Sequence, residues 1–157
     1  MRKQLLSPTP TPAPEAEDNW LDLERIAQAQ ISSEVPEHPV EGALLPWRSE
    51  GWRAGGPGAQ TLRLVFDHPQ RLRRILLRFD ETATGRTQEF VLRWQPQGQQ
   101  SWRDVVRQQF TFSPDATVLE VEDYRVDLDG VVALELVVVP EIGGGNARAS
   151  LTRLRLA

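Results

Sequence analysis

From Gln28 to Ala157 apolar side chains recur at every second position, a period met by an extended strand with one dry face and one wet face. Leu62, Leu64 and Phe66 alternate with Arg63 and Val65; Ile75, Leu77 and Phe79 alternate with Arg74, Leu76 and Arg78; Phe90, Leu92 and Trp94 alternate with Val91 and Arg93. Tyr124, Val126 and Leu128 form a further set. Val132, Leu134, Leu136 and Val138 continue the pattern, but Val131, Ala133 and Val137 make that segment apolar on both faces, as in a central strand, with Glu135 as its one outward charge. Leu151, Leu154 and Leu156 close the chain around a phase slip at Thr152-Arg153 that predicts a bulge. No sustained helical period interrupts these segments, which recur at the roughly 8 to 12 residue spacing of sandwiches and barrels. The expected fold is all-β: an antiparallel β-sandwich whose two sheets bury the alternating sets between them.

The front of the chain follows other rules. Pro8, Pro10, Pro12 and Pro14 favour extended polyproline II and bring nothing apolar to bury, so residues 1–17 read as a Pro-rich disordered tail and 18–157 as the domain. The tail suits a solvated spacer or a docking segment for a proline-recognition domain. Asp18 or Asn19 can cap a short helix in which Trp20, Leu23 and Ile26 share a face.

Charge and residue inventory narrow the function classes. A net charge of -4 supplies no global field toward nucleic acid or an anionic membrane, and neither partner is expected. The densest basic stretch, Arg71, Arg73, Arg74 and Arg78, lacks interleaved aromatics. No apolar run approaches the ~20 residues of a membrane helix. Met1-Arg2-Lys3-Gln4-Leu5-Leu6 runs into Ser7-Pro8 and leaves no room for a secretory apolar core, so a cytoplasmic location is expected. Absence of cysteine removes disulfides, thiolate metal sites and thiol nucleophiles. His38 and His68 each precede proline and share no metal-ligand spacing, so no metal is expected. No G-x-S-x-G elbow occurs, and Gly143-Gly144-Gly145-Asn146 precedes a strand, not a phosphate-holding helix; no cofactor is expected. Glu120 with Glu122, and Asp127 with Asp129, share strand faces as a glycosidase pair would, but read as solvated strand charges. The expectation is a binding module, not an enzyme.

The five tryptophans are the informative residues, because sugar sites use an aromatic plate against C–H faces and polar groups against hydroxyls. Trp94 and Trp52 read as core, and Trp20 as packing for the N-terminal helix. Trp47 and Trp102 fall in loops, where a rigid sandwich carries its binding residues. They form the candidate ligand-binding set with His38, Arg48, Arg53, Arg86 and Asn146.

Several segments, in order, carry a resemblance. Gln30-Ile31-Ser32-Ser33-Glu34 precedes Val40-Glu41-Gly42-Ala43-Leu44 and then Trp52-Arg53. Ala59 to Leu64, Pro69 and Leu72 to Ile75 follow, then Phe90-Val91-Leu92-Arg93-Trp94 with Gly98 and Trp102, and finally Ala149 to Leu156. This succession resembles the discoidin family, the coagulation factor 5/8 C-terminal type, within the galactose-binding-like superfamily. The likeness implies a jelly-roll sandwich serving as a non-catalytic glycan-binding module, or as a cytosolic protein-interaction scaffold of the same fold. Extracellular members commonly tie their termini with a disulfide that this chain cannot make. Glu41-Gly42 stands where the family often has an acidic turn associated with structural calcium.

Overall fold

The computed structural model describes residues 20–157. The tail assigned to residues 1–17 and the suggested caps Asp18 and Asn19 lie outside the described residues. In chain order the elements are α1 (Leu23–Ile26), β1 (Ala27–Ile31), α2 (Glu41–Leu44), β2 (Trp52–Pro57), β3 (Gln60–Asp80), β4 (Arg86–Pro96), β5 (Arg103–Phe112), β6 (Leu119–Val139), β7 (Arg148–Leu151) and β8 (Arg153–Leu156). All strand pairings are antiparallel, as the alternation predicts.

The segments around Leu64 and Leu77, which read as separate strands, are halves of β3, a single strand of 21 residues, and β6 matches it with 21. The two pair along nearly their whole length, with register breaks between Val65 and Arg74. There β3 carries Pro69, which has no N–H for the ladder, and β6 carries Gly130 at φ 68. Beyond the break each half enters a different layer. Residues 60–66 of β3 lie between β1 and the second half of β6, which continues to β4 and β5. Residues 74–80 lie between β8 and the first half of β6. Phe79 of the shorter layer stacks on Phe90 of the longer one, centroids 5.3 Å apart, so the two layers face each other across a shared core. Leu64, Leu77, Leu92 and Leu136 are all buried in it.

Four expectations need correction. Val131, not Val132, is buried, because the Gly130 bend shifts the phase before Leu134 restores it. The slip at Thr152 is a change of partner and not a bulge: β7 pairs with β2, whereas β8 pairs with β3. The N-terminal helix is one turn that starts after Asp22 without a side-chain cap, and the Arg74 guanidinium lies over the Trp20 ring, 4.6 Å from its centre. Finally, Glu120 is not a solvated charge. It stands opposite Phe79 in the ladder, hence on the inward face, and is buried with a 2.7 Å hydrogen bond from the Gln88 amide. Asp127 and Asp129 are exposed, as read.

Burial first, then the neighbouring Glu122 carboxyl, push the Glu120 carboxyl up to about 8. A folded-state pKa above the unfolded value means the folded protein holds this proton more tightly. The associated stability is full below the unfolded pKa near 4.5 and is lost as pH rises through about 8. Urea midpoints should therefore fall between these limits, and Glu120→Gln should flatten that fall. Equal slopes for the two proteins would show that Glu120 is ionised in the fold.

Candidate functional site

One end of the sandwich carries a polar groove of about 290 Å³. One wall is the β2–β7 ribbon with Arg53, Arg148 and Ser150; the other is the end of β3 and the loop after it, with Asp80, Glu81 and Thr82. His38 and Glu50 close one end. An adjoining recess of about 200 Å³, bordered by Thr84 and Asn146, shares Arg53, Glu81 and Arg148 with it.

Backbone hydrogen bonds set this geometry. The turn from Val35 to His38 clasps Arg53 from both sides: the Val35 N–H donates to the Arg53 carbonyl and the Arg53 N–H donates to the His38 carbonyl, both at 3.0 Å. Trp52 is buried beside them, its indole N–H donating to the Ser33 carbonyl at 2.9 Å, and it stands opposite Leu151. Alternation along β2 then turns Arg53 outward. His38 Nδ1 lies 2.8 Å from the Glu50 carbonyl, which can only accept, so Nδ1 carries the proton. In the neutral ring Nε2 is left as an acceptor.

Two glycines allow the groove's end to close. Gly51 has φ 72, and a Cβ there would meet the Leu151 carbonyl at 2.9 Å; a Cβ on Gly42 would meet the Gly51 carbonyl at 2.6 Å. Larger residues would push α2 and the 50–52 segment away from β7.

Each groove carboxylate is pinned from behind by its own arginine. Asp80 accepts from Arg78 Nε at 3.0 Å and from the Thr152 hydroxyl at 2.6 Å. Partial burial pushes its carboxyl up, but these hydrogen bonds and the Arg78 charge outweigh it and hold the group below the usual range. Glu81 behaves alike: burial raises it, while Arg86 Nε at 2.8 Å and the Ala83 N–H bring it lower. Glu50 is lowered by its own backbone N–H and by Arg48. All three are anions at neutral pH, placed to accept hydrogen bonds.

Of the residues singled out in the sequence, His38 and Arg53 border the groove and Asn146 borders the adjoining recess. Arg48 and Arg86 stand behind it, holding Glu50 and Glu81. The two loop tryptophans do not join it. Trp47 is 65% exposed and outside the groove lining. Trp102 lies on the outward face of the longer layer, over the Arg63 guanidinium at 5.2 Å, where Arg63 pairs with Glu135. Asp80, Glu81, Arg148, Ser150 and Thr152, which also line the groove or its recess, were not among the candidate binding residues read from the sequence. Their signals were there: polar punctuation at 81–85 between two strands, and an arginine three residues after a glycine run.

No protein-family model and no curated protein matches the chain. Solved structures do. The CBM32-3 module of a family 31 glycoside hydrolase from Clostridium perfringens is 14% identical with a TM-score of 0.65, over 88% of this chain and 94% of that one. The family 32 carbohydrate-binding module of Clostridium perfringens NanJ, solved in complex with galactose, is 14% identical with a TM-score of 0.61, over 87% and 96%. The F5/8 type C domain of a Bacteroides fragilis protein is 14% identical with a TM-score of 0.60, over 88% and 95%. These likenesses establish a galactose-binding-like fold across most of the chain.

Gly51→Ala is expected to cost about 1–3 kcal/mol, the strain of a side chain in the left-handed region. The urea midpoint measures it. An unchanged midpoint would show that neither the left-handed backbone at residue 51 nor its close approach to the Leu151 carbonyl holds this end together.

Proposed function

We propose that the chain is a non-catalytic glycan-binding module whose ligand occupies the groove between the β2–β7 ribbon and the 81–85 loop. The observation that carries this reading is the mixture of fixed donors and acceptors on rigid strands. Asp80, Glu81 and His38 Nε2 can accept from sugar hydroxyls, and the guanidinium groups of Arg53 and Arg148 can donate to hydroxyl and ring oxygens. Pre-set partners lower the ordering cost of holding a flexible polar ligand.

The same geometry disfavours hydrolysis. A glycosidase acid must keep its proton at working pH, and the arginines hold Asp80 and Glu81 lower than ordinary carboxyls. Support also comes from the neighbouring folds, which include carbohydrate-binding modules, one of them solved with galactose.

Titration calorimetry following a broad oligosaccharide panel tests the proposal. Saturable binding to at least one member is expected, with about a tenfold loss of affinity in His38→Ala from one lost hydrogen bond. Trp47→Ala and Trp102→Ala, outside the groove, should bind as the parent does. A folded protein that binds no saccharide would overturn the reading.

A further inference from the structure

The charges bordering the groove fall into two classes. Glu50, Asp80 and Glu81 are each compensated by an arginine outside the lining, respectively Arg48, Arg78 and Arg86. Arg53 and Arg148 are different. Both are exposed, and neither side chain has an ion pair or hydrogen bond among the described residues. Among the described residues eight other arginines are in ion pairs, so an unpaired guanidinium at a groove wall is not the rule there.

The ribbon register brings the two together. Arg53 stands opposite Ser150, and Arg148 lies two residues before Ser150, with the buried Ala149 between. Alternation therefore sends Arg53, Ser150 and Arg148 out on one face, and both arginines border both recesses. Two like charges held side by side without a counter-charge repel each other, and an anion between them relieves that repulsion while accepting several charge-assisted hydrogen bonds. A neutral sugar would leave the repulsion in place.

We infer that the saccharide taken by this groove is acidic, and that Arg53 and Arg148 hold its oxyanion, a sugar carboxylate or a sulfate ester, with the Ser150 hydroxyl between them. The inference rests on the glycan-binding reading above and names the ligand class within it. The planar guanidinium fork matches either oxyanion through paired N–H donors. Asp80 and Glu81 across the groove remain to accept from the sugar's hydroxyls.

The test uses the full chain on neutral, carboxylated and sulfated oligosaccharides, followed by titration of the best acidic ligand against the same skeleton with its carboxyl methyl-esterified or its sulfate removed. The acidic form is expected to bind at least about tenfold more tightly, and its advantage should shrink as salt is raised. Arg53→Gln and Arg148→Gln should each cost about tenfold in affinity for the acidic form. Their unfolding midpoints should not fall below the parent's, since neither side chain holds a partner in the fold and each substitution removes one of two repelling charges. The double variant should bind the acidic and neutralised skeletons alike. Preference for the carboxylated or for the sulfated panel identifies which oxyanion is read, and either supports the inference. If neutral glycans bind as well as acidic ones, and the arginine variants bind like the parent, the glycan-binding module stands and the acidic ligand falls. If no saccharide binds, both fall.

Discussion

The long antiparallel ladder between β3 and β6 holds the molecule together. Each strand contributes one half to each layer, so the layers cannot separate without breaking a pairing that runs through both. The bend near Pro69 and Gly130 is what folds this ladder over on itself. Without a residue lacking an N–H on one strand and a glycine at positive φ on the other, the same pairing would continue as a flat ribbon with its apolar face in water. Closure of the ladder brings Phe79 onto Phe90 and delivers the end of β3, with Asp80 and Glu81, to the rim where the groove forms.

The period of two is legible in the sequence because core burial imposes it residue by residue. Leu62, Leu64, Leu77, Phe90, Leu92 and Leu136 could be placed without any knowledge of their partners. Partnership is not legible in the same way. Nothing in Arg153 to Leu156 says that this segment leaves β2 for β3, since the choice depends on where β3 has already been carried. The site is legible where residue type and loop position coincide, as for His38 and Asn146, and where a polar residue sits on the outward phase of a strand, as for Arg53 on β2. Trp47 and Trp102 satisfied both criteria and still fall elsewhere, because a loop's direction is set by the strands it joins and not by its composition.

Arginine in this chain serves as much for structure as for recognition. Arg155 is buried and donates to the Ala43 carbonyl at 2.9 Å and the Leu45 carbonyl at 3.4 Å, satisfying the end of a one-turn helix that has no stability of its own. This contact lays α2 over the outward side of the shorter layer and explains why Leu76, on the wet face by alternation, is buried. Arg78 and Arg86 likewise fix the groove's carboxylates from behind. A short-lived surface pair contributes little, but a carboxylate fixed against a rigid strand becomes a dependable acceptor.

Arg86 also links the groove to the interior. Its guanidinium is buried, reaching Glu81 on the groove side, the Pro140 carbonyl at 2.8 Å and the Gln88 amide oxygen at 3.1 Å, while its face packs over Phe112 at 4.8 Å. Gln88 in turn donates to Glu120. A buried arginine is tolerable when one anion balances it, and Glu81 is that anion. An ionised Glu120 would add a second anion to a cluster already balanced, in a dry environment and next to Glu122. The same burial that keeps Glu120 protonated therefore lets Arg86 hold Glu81 without a competitor for its charge. The protonation state of an interior carboxyl thus bears on how firmly the groove's far wall is held.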